Sequence, residues 1–186
     1  MSKFTHNQNL TDQPSTTLLS KLSQTIRRLL PSYTLRISAK ELEKRLAKKF
    51  PIKKKASIFI FKITDPEVVF PSEKANHIGI RLTLKVSLPG LFSAKGRALI
   101  HGEIEYDSEH GAFYFFDPEV QELKIKGLSR RYQIEVKELF SGFIQSALNE
   151  LCIYQFNTRD RKQAIAKKLL KSVQVKEGKL QIKFGL

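Results

Sequence analysis

Four histidines, one cysteine and a scatter of carboxylates are the side chains with which this 186-residue chain could do covalent or metal chemistry. His6, His77, His101 and His110 match no zinc-ligand spacing. His101 also falls on the polar parity of its stretch, so solvated imidazoles are expected there instead of ligands. Asp65, Glu67, Asp107, Asp117 and Glu119 sit beside prolines or turns, where carboxylates commonly shape loops. Cys152 lies in an apolar run and reads as a small core residue; alone, it permits neither an internal disulfide nor a cysteine-based metal site. The chain contains no G-x-S-x-G, Walker A, G-x-G-x-x-G or H-E-x-x-H pattern. No catalytic residue, metal or cofactor is expected, and the residue types favour a binding protein over an enzyme.

Charge narrows the class of partner. Thirty-three Lys and Arg against eighteen Asp and Glu leave a net charge of +15, which attracts phosphate-bearing surfaces, either anionic lipid or nucleic acid. Lys53-Lys54-Lys55, Arg130-Arg131 and Lys167-Lys168 are the basic clusters. "AFYFF", residues 112–116, puts aromatics beside a strand, as base stacking requires. Yet Phe113, Tyr114, Phe115 and Phe116 occupy both parities, which suits core filling better than a platform. With no RNP1-like pattern and no recognition helix, a nucleic-acid-binding module is the alternative reading and not the first one.

The elements that would position any site follow from periodicity. Residues 1–17 are polar and expected to be disordered. In residues 18–30, Leu18, Leu22, Ile26, Leu29 and Leu30 repeat at helical spacing, with Lys21, Arg27 and Arg28 between them and Pro31 as a stop. Such a basic amphipathic helix either lies on a membrane surface or docks on the domain. Residues 1–31 therefore read as a flexible tail and 32–186 as a single domain. No run of 18 apolar residues occurs, and "MSKFTHNQNLTDQPSTT" has no signal-like apolar region. The chain as read is expected to be cytoplasmic or peripherally membrane-bound.

Within the domain, "YTLRIS" (33–38) alternates as a strand, and Ser38-Ala39-Lys40-Glu41 opens a helix with a capping box. Leu42, Leu46 and Phe50 form that helix's apolar stripe. From about 56 to 126 the pattern is β, and turn-sized links such as "SEHG" favour antiparallel pairing. In "HIGIRLTLKVSL" (77–88) all the large aliphatics share one parity, giving a bare apolar face roughly 36 Å long. Parity also breaks between Val120 and Leu123, predicting a bulge or bend near Pro118.

A long helix is predicted over about 131–156, with Val136, Leu139, Phe140, Phe143, Ala147, Leu151 and Tyr154 stepping by three and four. Its expected length, also about 36 Å, equals that of the strand. Its apolar arc, widened by Ile134, Ile144, Leu148, Cys152 and Ile153, predicts burial on most of its circumference. A second, basic helix is expected from about residue 157, and a terminal hairpin turning at Glu177-Gly178.

The expected fold class is α+β: a strongly curved antiparallel sheet around a long C-terminal helix. A groove beside that helix would suit a lipid or fatty-acid-like ligand, since about 14 buried methylenes are worth on the order of 10 kcal/mol before ordering costs. Strand parity and helix face nominate Ile80, Leu82, Leu84, Val86, Ile100, Ile104, Phe140, Phe143, Ile144 and Leu148 as the lining. Lys21, Arg27, Arg28, Lys53, Lys54 and Lys55 are the candidates for contact with anionic headgroups at a membrane surface.

Three stretches carry a family resemblance. "YTLRISAKELEKRLAKKFP" near the start, "VSLPGLFSAKGRALIHGEIEYDSEHGAFYFFDPEVQELKI" in the middle and "AIAKKLLKSVQVKEGKLQIKFGL" at the end resemble, in consistent order, the YceB-like family of small bacterial lipoproteins. The resemblance runs from about Tyr33 to Leu186. It implies a curved sheet wrapped on a helix, similar to half of a tubular lipid-binding (TULIP) module, with apolar ligands held between the two. It also implies a place in the bacterial envelope or periplasm. Typical members carry a signal peptide and a lipobox cysteine upstream of the strand matching "YTLRIS"; here a basic amphipathic segment stands at that place and no cysteine does.

Overall fold

The computed structural model describes residues 33–71, 76–157 and 169–185. The amphipathic segment at 18–30 with Lys21, Arg27 and Arg28, and most of the basic helix expected after 157, lie outside the described residues. Among the described residues two antiparallel sheets and two α-helices make an α+β fold, and the larger sheet is a strongly curved half-barrel. Along the chain run β1 (Tyr33–Ser38), α1 (Ala39–Leu46), β2 (Ile52–Ala56), β3 (Phe59–Val69), β4 (His77–Leu88) and β5 (Phe92–Asp107). β6 (Ala112–Lys126), α2 (Arg130–Leu148), β7 (Leu151–Gln155), β8 (Leu170–Lys176) and β9 (Lys179–Phe184) complete it. The half-barrel has six strands in the order β2-β3-β4-β5-β6-β7, a meander with α2 between β6 and β7; the small sheet is β1-β9-β8.

β4 forms because its alternation lets one face dry completely. Ile78, Ile80, Leu82, Leu84, Val86 and Leu88 are all buried, while Arg81 and Lys85 between them are exposed. Phe59, Phe61 and Ile63 of β3 continue this face on one side, and Ala94, Ala98 and Ile100 of β5 on the other.

Two bulges bend the sheet. "DPEV" occurs at 65–68 in β3 and again at 117–120 in β6, and the register shifts at both places. Asp65 (φ 51°) and Asp117 (φ 44°) take the left-handed conformation that aspartate tolerates, and the following proline has no N–H to give the ladder. An extra residue on one strand bends it and tightens its twist. The two bulges are level: Val68 pairs with Ile80, Ile80 with Ile100 and Ile100 with Val120. The bend expected near Pro118 is therefore one end of a line crossing four strands.

α2 fills one end of the concavity. Val136, Phe140, Phe143, Ile144 and Leu148 are its buried residues. Phe143 stacks on Phe61, with ring centroids 5.7 Å apart and 18° between planes. Phe59, Phe92 and Tyr132 form a triangle with centroid separations of 5.5 to 6.2 Å, joining two hairpin ends to the first turn of the helix. The opposite end is closed by α1 and the small sheet. Arg45 of α1 lies 4.1 Å over the Tyr154 ring, Glu43 accepts from the Val68 N–H at 2.9 Å, and Phe156 meets Phe184 edge-on. Ser38 Oγ accepts from the Glu41 N–H at 3.3 Å, giving the expected N-cap of α1. The terminal hairpin turns at Glu177 and Gly178, both with positive φ.

The long C-terminal helix is corrected. α2 has 19 residues and stops at Leu148. Asn149 is extended (φ −61°, ψ 135°) and Glu150 is left-handed (φ 59°), so the chain reverses and 151–155 returns as β7 along β6. Residues 151–156 ("LCIYQF") are rich in β-branched and aromatic side chains, and apolar residues two and three apart satisfy a strand buried on both faces as well as a helix. The apolar arc is also narrower than expected, because Ile134 is 73% exposed.

Glycines test the packing. An alanine Cβ at Gly102 would fall 2.5 Å from the Phe115 ring and 2.7 Å from the Phe116 carbonyl oxygen, whereas at Gly142 in α2 it would meet nothing within 4 Å. Gly102→Ala is expected to destabilise by about 1–3 kcal/mol. Gly142→Ala should stabilise by about 0.5–1 kcal/mol by restoring helix propensity. Urea denaturation of both variants checks the pair; equal effects would contradict the placement of α2.

Candidate functional site

The ten aliphatic and aromatic candidates are brought together, but as packed core. Ile80, Leu82, Leu84 and Val86 of β4, Ile100 and Ile104 of β5, and Phe140, Phe143, Ile144 and Leu148 of α2 are each at most 5% exposed. They belong to one buried cluster in which the α2 rings fill the concavity, and none of them borders the three clefts described next.

The largest of those clefts, about 570 Å³, lies between β6 and α2. Its origin is a length mismatch. β7 pairs with β6 only over Ala112–Phe115, so among the described residues no strand lies beyond the later part of β6. α2 stands against that edge instead, and two glutamines pin it: Gln145 Nε2 donates to the Pro118 carbonyl of β6 at 2.8 Å, and Gln133 Nε2 to the carbonyl of Leu128, in the link between β6 and α2, at 3.2 Å. Asn149 Oδ1 also accepts from the Asp117 N–H at 3.1 Å. Between these pins the gap remains open.

Half-buried Val120, Leu123 and Ile125, with buried Leu128, give the cleft an apolar floor. Lys124, Lys126 and Lys137 give it a cationic border, and among the described residues its lining holds no carboxylate. Glu122 pairs with Lys124, whose hydrogen bond and charge hold the Glu122 carboxyl below its ordinary value. An apolar floor with a positive border suits a molecule with an apolar chain and an anionic end. Of this lining, sequence reasoning caught only the parity break between Val120 and Leu123. An unpaired edge depends on where β7 ends, and no local pattern in β6 encodes that.

Lys53, Lys54 and Lys55 do not act as one patch. Consecutive strand residues point to opposite faces, so Lys54 turns to α2, where Nζ donates to Ser146 Oγ at 2.7 Å, while Lys53 and Lys55 are exposed on the other face.

The second cleft, about 420 Å³, lies at the β5–β6 bulge and is polar, with His77, His101, Glu103, Asp117 and Glu119 in its lining. His77 Nε2 stands 3.4 Å from Glu103 Oε1. Among the described residues no group of three or more His, Cys, Asp or Glu side chains is placed to hold a metal ion. The third, about 350 Å³, surrounds the β5–β6 turn with Tyr106, Asp107, His110 and Tyr114. Asp107 accepts from the Glu109 and His110 N–H groups at 2.7 and 3.1 Å and meets His110 Nδ1 with its other oxygen. The His110 hydrogen bonds hold its carboxyl below the ordinary value of 3.8. Burial is the largest influence raising the Tyr106 and Tyr114 hydroxyls. Cys152 is a free, half-buried thiol on β7.

A family model described as "Protein of unknown function (DUF1439)" matches residues 37–179, most of the chain. A search of curated proteins finds no match. Among solved structures, the chain is similar to the crystal structure of P47 of Clostridium botulinum E1, at 16% identity and a TM-score of 0.40. That alignment covers 73% of this chain and 36% of the other, so the chain spans about a third of that neighbour's length.

Because the Asp107 carboxyl is lowered on folding, it contributes stability above its ordinary value and loses that contribution as pH falls through the lowered one. Asp107→Asn is expected to flatten the acid limb of stability below about pH 4. Denaturation midpoints measured on both proteins across that range check it; unchanged steepness would contradict the turn's electrostatics.

Proposed function

We propose that this chain, which belongs to the DUF1439 family, is a non-enzymatic binder of a lipid or another hydrophobic ligand, acting at or near a membrane. The observation that carries this reading is the cleft between β6 and α2, a volume of about 570 Å³ with an apolar floor and three lysines at its border. An acyl chain laid along Val120, Leu123, Ile125 and Leu128 would exchange water for aliphatic contact at about 0.8 kcal/mol per methylene. Lys124, Lys126 and Lys137 would meet a carboxylate or phosphate head. The ligand then sits at the edge of the half-barrel, one strand out from the packed core to which strand parity alone points.

The finer resemblance supports the same class. The three stretches similar to the YceB-like family, and through it to tubular lipid-binding modules, imply ligands held between sheet and helix. In this chain the open part of that boundary is the β6–α2 edge.

Native mass spectrometry of the gently purified full chain is expected to find copurified lipid, and a fluorescent fatty acid is expected to bind. Leu123→Glu combined with Ile125→Glu should weaken that binding by on the order of tenfold or more, since it places two charges on the apolar floor. Leu82→Ala, in the core, should cost about 2–5 kcal/mol of stability and leave ligand affinity near the original. A protein with no bound lipid and no fatty-acid uptake would overturn the proposal.

A further inference from the structure

The convex face of the half-barrel carries a feature that the core does not use and that meets the cleft only at its β6 end, through Lys124 and Lys126. Lys53 pairs with Lys62, Lys62 with Lys85, Lys85 with Lys95 and Lys95 with Lys126, one residue from each of five neighbouring strands. All five are exposed. At about 4.8 Å per strand, this ladder of like charges crosses roughly 19 Å of sheet. Arg97 and Lys124, paired in the adjacent row, extend it. Like charges directly opposite one another destabilise a sheet. Five in register with no acid among them is therefore a cost to the fold, and an anionic partner would offset it.

The same end of the molecule exposes apolar side chains. Ile58 is 50% exposed at the β2–β3 turn, and Leu91 is 73% exposed at the β4–β5 turn, where Pro89 and Gly90 (φ 79°) complete a turn closed by the Leu91 N–H on the Leu88 carbonyl. The Phe59–Phe92–Tyr132 triangle ties both turns to the start of α2, where Arg130 and Arg131 are exposed. Each tip lies four residues along its strand from a ladder lysine, Ile58 from Lys62 and Leu91 from Lys95, or about 13 Å.

We infer that this end of the half-barrel docks on an anionic bilayer. Laid obliquely, it places Ile58 and Leu91 at the acyl boundary while the ladder lysines, Arg130 and Arg131 reach headgroup phosphates. Apolar tips beside a cationic face fit a bilayer better than a nucleic acid, which has no use for exposed aliphatics. The Lys126 end of the cleft lies on the same side, so docking would bring it towards the lipid. The inference rests on the membrane part of the reading above, and its test is independent of ligand uptake.

The test is cosedimentation of the full chain with phosphatidylcholine vesicles, with and without phosphatidylglycerol. Binding is expected only with the anionic lipid and should weaken as salt rises. Replacing Lys62, Lys85 and Lys95 by alanine should cost roughly fivefold per lysine, on the order of 100-fold together. Replacing Lys171, Lys176 and Lys183 of the small sheet changes net charge equally and should cost far less. Ile58→Ser with Leu91→Ser should weaken binding roughly tenfold at unchanged charge. Uptake of soluble fatty acid should persist in all of these variants, which separates this outcome from failure of the cleft. Lys85→Glu should raise the unfolding midpoint, by creating opposite-charge pairs with Lys62 and Lys95, while lowering vesicle binding. Three results would each overturn the inference: no binding to anionic vesicles, equal losses in ladder and control variants, or ladder-dependent retention of an RNA oligonucleotide with vesicles unbound.

Discussion

A row of four aliphatics, buried Val68, Ile80 and Ile100 with half-buried Val120, marks the line along which the large sheet bends. At each end of it stands the same four-residue device, Asp-Pro-Glu-Val, with the aspartate at positive φ and the ladder out of register. Without that bend, β3 to β6 would form a flatter sheet whose apolar face one helix could not occupy. With it, the inward side chains converge, and the rings of α2 fill what they enclose. The cleft and the lysine-bearing convex surface both follow from the same curvature.

Coverage of the apolar face is shared. Nineteen residues at about 1.5 Å each give α2 roughly 28 Å, less than the 12-residue β4 and well short of the 16-residue β5. The rest is covered by α1 and the small sheet, through Leu42, Leu46, Leu180, Ile182 and Phe184, all buried in the same cluster. Protein thus covers the face of β4 completely. Among the described residues coverage runs out along the later part of β6, whose outer neighbour β7 is only five residues long, and the apolar side chains left half-buried there line the cleft.

Much of this was legible from the chain because alternation in β4 and the Ser38 cap are local signals. The meander was legible for the same reason: short turns at 108–111 and 177–178 leave antiparallel neighbours little choice. β7 was not, since its apolar spacing satisfies two periods at once and only the left-handed Glu150 decides between them. Strand parity points to the core and not to the cleft for a related reason. Parity says which face of β4 is dry, but whether a helix ring or a ligand dries it depends on the sizes of Phe140 and Phe143 against the curvature. The repeated "DPEV" is the sequence signal that marks the bend. Lys53, Lys62, Lys85, Lys95 and Lys126 are scattered through the sequence and become a row only once register is known.

The claim that ligand occupies the β6–α2 edge while the core stays closed is tested most directly by amide NMR of the full chain during titration with a fatty acid. The account predicts shifts concentrated at 120–126 of β6, at Leu128 and at Gln133 and Lys137 of α2, with β4 amides unmoved. Shifts centred on Leu82, Leu84 and Phe143, or no saturable shifts anywhere, would contradict it.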